Sequence, residues 1–103
     1  MKTLTGRTEE RRCIAVPIRW WTVDLPYTSA RATTENVSPH GARIVTDHTL
    51  RPSTHLFVVR PGTHSRIEAT VVYCRPLGAK VFKVGLHFRE NIWKHWSRRI
   101  EPY

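Results

Sequence analysis

In residues 66–88, RIEATVVYCRPLGAKVFKVGLHF, apolar side chains recur at every second position on both sides of a Pro-Leu-Gly break. Ile67, Ala69, Val71 and Tyr73 fall on one face of the first half. In the second half Phe82, Val84, Leu86 and Phe88 stand opposite Val81, Lys83, Gly85 and His87. A period of two is that of a half-buried strand, not of a helix. The stretch therefore predicts two strands, Arg66–Arg75 and Ala79–Phe88, joined by a turn at Pro76–Gly78.

The same pattern extends upstream. Ile14, Val16 and Ile18 alternate with Cys13, Ala15 and Pro17, and Trp20 and Trp21 follow, so a strand is expected over 13–21. Pro17 marks it as an edge or a bulge, because proline cannot donate to a ladder. At least one of the two adjacent tryptophans must then point away from the core. Asp24-Leu25-Pro26 reads as a turn. Ser29–Thr34, Ala42–Thr46 and His55–Arg60 are further strands, with a tight turn over Asn36–Gly41, a loop over Asp47–Ser53, and Pro61-Gly62 closing the last. Six short strands with turn chemistry between them, and no helix among them, predict an all-β domain: a six-stranded antiparallel barrel. Downstream, Asn91 can cap a helix. Ile92, Trp93, Trp96 and Ile100 share one helical stripe, Lys94, Arg98 and Arg99 face elsewhere, and Pro102 ends it. The expected layout is a flexible Arg-rich arm (1–12), a barrel (13–90) and a short C-terminal helix and tail (91–103).

The 103 residues suffice for one domain with one core. No apolar run approaches the roughly 18 residues of a membrane-spanning helix. The opening MKTLTGRTEERR lacks the apolar stretch of a secretory leader. A cytoplasmic protein without a membrane span is expected. Lys and Arg number 17 against 8 Asp and Glu, a net charge of +9. Arg, the residue suited to bidentate recognition of phosphates and guanine edges, dominates that excess. An anionic partner follows: nucleic acid, a nucleotide or an acidic protein surface. The four Trp read as plugs for the barrel ends rather than as base-stacking platforms, so nucleic acid is not the expected choice. Cys13 and Cys74 are too few for a disulfide framework or a zinc site, and each is read as a small hydrophobe in a strand.

Catalytic signatures are missing. The two Asp and six Glu show no spacing of a catalytic pair, and the six His form no ligand cluster. Ser38 is not in a nucleophile elbow, and no phosphate-cradling glycine loop occurs. No enzymatic activity, metal site or cofactor is expected. Two clusters remain. GRTEERR carries Arg7, Arg11 and Arg12, and NVSPHG carries Asn36, Ser38 and Gly41. The second is a turn lined with hydrogen-bonding groups. Gly41 is expected there to supply a backbone conformation costly to other residues.

Together these clusters make the chain resemble the PilZ domain, a bacterial receptor module for cyclic di-GMP. The family's signature is RxxxR in an N-terminal arm, followed by (D/N)xSxxG at a turn of a six-stranded barrel. Asn36-Val37-Ser38-Pro39-His40-Gly41 matches the second motif in full. GARIVTDHTLRPSTHLFVV, IEATVVYCRP and FKVGLHFRE are similar to the family's later strands. Arg7-Thr8-Glu9-Glu10-Arg11 satisfies the first motif literally. Counting back from Val16-Pro17-Ile18 instead places Arg11 first and Ala15 second, a degenerate motif.

The resemblance implies cyclic di-GMP binding by Arg7 and Arg11, with Arg12 as an accessory and with Asn36, Ser38 and Gly41 at the turn. It implies an arm that is mobile without ligand and wraps over it, changing a surface that an effector protein reads. The alternative it leaves open is a degenerate domain serving as a protein–protein adaptor without nucleotide.

Overall fold

The computed structural model describes residues 9–24, 28–63 and 65–100. Six strands form a closed antiparallel barrel: β1 (Pro17–Thr22), β2 (Ala30–Ser38), β3 (Gly41–Thr46), β4 (His55–Val59), β5 (Arg66–Gly78) and β6 (Val81–Phe88). Their order around the barrel is β1-β2-β3-β6-β5-β4. One helix, α1 (Trp93–Ile100), follows. The sequence-predicted class is the observed one. Closure removes sheet edges, which suits a small chain with no helical layer to cover them.

Inward positions supply the core: Ile18 and Trp20 of β1, Ile44 of β3, Leu56 and Val58 of β4, Ile67, Ala69 and Val71 of β5, and Val84, Leu86 and Phe88 of β6. Trp20 is buried and donates its indole N–H to Thr46 Oγ1 at 3.1 Å. Its neighbour Trp21 lies on the outer surface, half-buried against Phe57. Asn91 Oδ1 accepts the Trp93 N–H at 2.9 Å and so caps α1. Ile92 and Trp96 are buried against the barrel, with Trp96 edge-on to Phe88 at 6.0 Å. Trp93 is half-buried; the side chain of Ile100, with Pro102 and the Leu25-Pro26 part of the expected turn, lies outside the described residues.

The structure corrects several boundaries. The strand expected over 13–21 begins at Pro17, as the first residue of β1, because Pro17 has no N–H. Before it the chain is held by a side chain. The buried Thr34 Oγ1 accepts the Val16 N–H at 2.8 Å and donates to the Ile14 carbonyl at 2.5 Å. Arg12, expected in the arm, pairs with Val37 through reciprocal backbone bonds of 2.8 and 2.9 Å. Cys13 is exposed and precedes the strand, whereas Cys74 lies in β5. The turn expected at Pro76–Gly78 is displaced to Ala79-Lys80, where Lys80 takes the left-handed conformation (φ 61°). Pro76 sits beside a register shift in β5, which tolerates its missing donor.

Thr34→Val tests the strap. The substitution keeps the shape but leaves the buried Val16 N–H unpaired, so a loss of about 1–3 kcal/mol is expected. Thr34→Ser keeps the hydroxyl and should lose less. Urea unfolding midpoints compare the two; equal losses would show that the hydroxyl does not hold this segment.

Candidate functional site

Two bulges build the site. In β2 the register shifts between Thr34 and Asn36, leaving Glu35 as the extra residue. Without it, strict alternation from Ala30, Ala32 and Thr34 would turn Asn36 inward. The bulge re-aims Asn36 and Ser38 to the outer face, opposite Arg43 and Gly41 of β3. Both motif residues thus belong to β2, and the turn expected over Asn36–Gly41 contracts to Pro39-His40. In β5 the register shifts between Val71 and Tyr73, and the extra residue Val72 is 57% exposed. Tyr73 therefore leaves the face of Ile67, Ala69 and Val71, where alternation had placed it, and joins the outer face opposite Gly85.

The result is a cross-strand row of Asn36, Arg43, Gly85 and Tyr73 over β2, β3, β6 and β5. The Tyr73 ring lies on the Gly85 backbone: a Cβ there would sit 2.2 Å from Tyr73 Cε2. Arg75 caps the ring with its guanidinium carbon 5.0 Å from the centroid. Arg43 Nε donates to Glu35 Oε1 at 2.9 Å, and Lys83 Nζ lies 3.4 Å from the same oxygen. A hydrogen bond to Tyr73, ahead of the contacts to Glu35, holds the Arg43 guanidinium protonated even more firmly than usual.

Over this row lies the N-terminal arm. Arg11 Nη1 donates to Asn36 Oδ1 at 3.0 Å. Glu9 grips the β2–β3 turn: Oε1 accepts the His40 backbone N–H at 3.0 Å, and Oε2 lies 2.6 Å from His40 Nδ1. Burial pushes the Glu9 carboxyl up, but the His40 bonds, the His40 charge and the Ser38 hydroxyl together bring it below the ordinary 4.5. The carboxylate thus holds the arm at pH above that value, and its hold is lost as pH falls through the lowered one. His40 in turn stacks on His87 at 6.4 Å. Two adjoining clefts result. One of about 530 Å³ is lined by Glu9, Arg11, Asn36, Arg43 and Tyr73. The other, about 360 Å³, lies between Arg11, Ser38, His40, Gly41 and His87.

Of the sequence-predicted residues, Arg11, Asn36, Ser38 and Gly41 come together here. Arg12 points elsewhere, its guanidinium 4.4 Å over the Trp93 ring, so it fastens the arm to α1. Arg7 lies outside the described residues. Ala15 is exposed and brings no functional side chain. Gly41 differs from its expectation. It has no positive φ and pairs as a strand residue with Ser38 and His87. What it provides is close approach, since a Cβ would meet Ser38 Oγ at 3.2 Å and the Leu86 carbonyl at 3.4 Å.

Glu9, Arg43, Tyr73 and His87 were not expected. Arg43 could have been found two residues after Gly41 on the same strand face; Tyr73 could not, because the Val72 bulge is silent in the alternation. Among the described residues no group of three or more His, Cys, Asp or Glu is placed to hold a metal ion.

The arrangement sets planar cations at a polar cleft whose floor holds the buried Asn36 amide and Ser38 hydroxyl, with the Tyr73 ring packed between Gly85 and Arg75. That equips it to bind an anion bearing flat rings. No curated protein sequence matches the chain. The family model of the PilZ domain matches residues 6–101. With that match over nearly its whole length, and with the barrel and turn just described, the chain belongs to the PilZ domain family.

Proposed function

We propose that this domain is a cytoplasmic receptor for cyclic di-GMP, a binding module rather than an enzyme, that signals to an effector protein by rearranging its arm. The observation that carries the reading is the Arg11–Asn36 hydrogen bond, which joins the arm's arginine to the NxSxxG turn at the mouth of the cleft. The ligand has two phosphates and two guanines. A guanidinium such as that of Arg11 or Arg43 can bridge phosphate oxygens with two parallel bonds, donate to guanine O6 and N7, or stack on the base. Asn36 offers one acceptor and one donor to a guanine edge, and Ser38 a hydroxyl. No cofactor enters this scheme.

Isothermal titration with cyclic di-GMP at physiological salt, with GTP as control, tests it. Micromolar or tighter binding absent for GTP is the expected result, and the stoichiometry reports whether one molecule or an intercalated pair binds. A titration without heat up to millimolar ligand overturns it. That outcome favours a second reading, an adaptor that has lost the nucleotide. Two observations point that way: the Glu9 carboxylate already occupies the His40 N–H, and Ala15 stands where one count of the motif requires arginine.

The Glu9 position gives a prediction of its own. Glu9→Gln removes a negative charge that the ligand's phosphates would face, so affinity should rise about fivefold, the effect of one unit charge a few ångströms away in water. Unchanged binding in the same titration would show that Glu9 stays clear of the ligand, and weaker binding that its hold on the β2–β3 turn outweighs its charge.

A further inference from the structure

On the opposite side of the barrel the register aligns three arginines. Arg31 of β2 stands opposite Arg19 of β1, Arg19 opposite Val59 of β4, and Val59 opposite Arg66 of β5. At about 4.8 Å per strand the row spans roughly 14 Å. All three guanidinium-bearing residues are exposed, and none meets a carboxylate among the described residues. Arg19 donates to Ser29 Oγ at 3.2 Å, and the Arg66 guanidinium carbon sits 4.9 Å over the Phe57 ring. Like charges directly opposite each other destabilise a ladder. The Arg19–Arg31 pair is therefore a cost to the barrel, and neither member forms an ion pair among the described residues.

Beside the row lies a groove of about 580 Å³. Arg19 and Arg31 line it together with apolar walls from Pro17, Val45, Pro61 and Val81, and its one carboxylate, Asp47, lies 2.6 Å from His48 Nδ1. Arg31 is five residues from Asn36 along β2, about 17 Å at strand rise, so this face is separate from the cleft. We propose that the face docks an acidic segment of a partner protein, whose carboxylates pair with Arg19, Arg31 and Arg66 while an apolar side chain enters the groove. Charge complementarity argues for carboxylates. The aromatic row beside it favours protein over nucleic acid: Trp21 and Phe57 pack on each other at 6.0 Å, and Arg66 lies over the Phe57 ring, so Phe57 already has two protein partners where a base would stack. Arg beside half-buried aromatic residues is the composition of an interface centre.

The test uses the full chain and fluorescence anisotropy at physiological salt. The probe is a labelled peptide of Glu-Leu-Glu-Glu repeats, about 12 residues long, enough to cross the row at roughly 3.3 Å per residue. Its controls are the same peptide with Gln for Glu, and single-stranded oligothymidine. The acidic peptide should bind and the Gln peptide should not. Arg31→Glu should weaken binding tenfold or more while raising or keeping the thermal midpoint, because it turns a repulsive cross-strand pair into an attractive one. Arg19→Glu and Arg66→Glu should weaken binding likewise. All three should leave a cyclic di-GMP titration unchanged, which separates this proposal from the ligand reading. No binding of the acidic peptide, equal binding by Arg31→Glu, or tighter binding of oligothymidine through the same arginines would overturn it.

Discussion

Arg11→Ala is expected to weaken cyclic di-GMP binding at least about thirtyfold, the equivalent of about 2 kcal/mol, while the domain stays folded. Arg11 is exposed and contributes its one described hydrogen bond, to Asn36, outside the core. Because its partner Asn36 is buried, its removal should cost on the order of 1 kcal/mol of stability, small enough to leave the domain folded. The binding loss is larger because a charge-assisted bond to an anionic ligand is worth about 1.5–3 kcal/mol, and Arg43, the other guanidinium of the cleft, is already tied to Glu35. Arg11→Lys should recover only part of it, since an ammonium keeps the charge but not the planar fork. Asn36→Ala should also weaken binding. Because Arg11 and Asn36 touch, the double variant should lose less than the sum of the two single losses. Parallel titrations of the four variants decide the matter; parental affinity in Arg11→Ala would remove the arm from the binding site.

Trp96→Ala should cost about 3–5 kcal/mol, the range for deleting a buried tryptophan. Trp96 is 1% exposed and meets Phe88 edge-on, so the substitution leaves a void where α1 closes on the barrel. For a domain of this size the midpoint should fall on the order of 20 °C. Calorimetry measures it, and a fall under about 5 °C would mean that α1 is not part of the cooperative unit. Trp96→Phe sharpens the result. The indole N–H of Trp96 is buried with no hydrogen-bond partner among the described residues, so losing that group costs nothing in pairing. Phe should be tolerated far better than Ala. The loss also reaches the site: α1 carries Trp93, on which Arg12 rests, and Arg12 anchors the arm that presents Arg11. Weaker ligand binding by folded Trp96→Ala protein would report that linkage.

How much of this was legible beforehand follows from what alternation can encode. The strands of 66–88 were readable because Ile67, Ala69, Val84, Leu86 and Phe88 repeat with the pleat and are all buried. The capped helix was readable from Asn91 and the Ile92–Trp96 stripe. Tyr73 was read onto the inner face, and Asn36 was read into a turn when it belongs to β2, because neither bulge shows in the sequence. A bulge inserts a residue without changing composition, and everything beyond it changes face. Gly41 was misjudged because a glycine can be required by a neighbour's proximity as well as by φ, and only the packed Ser38 and Leu86 reveal which.

The amino-acid sequence by itself therefore determined the class of fold, the cationic character, the turn motif and the candidate Arg11–Asn36–Ser38 set. These rest on local periodicity, on charge counts and on residue types at fixed spacing. Tertiary structure alone decided which outer face each residue joins. It brought Arg43 and Tyr73 to the cleft, sent Arg12 to Trp93, placed Glu9 on the turn, and aligned Arg19, Arg31 and Arg66 across three separate strands. Each depends on the register between strands distant in sequence. Register is set by bulges and barrel closure acting together, and so becomes fixed only when the whole sheet has closed.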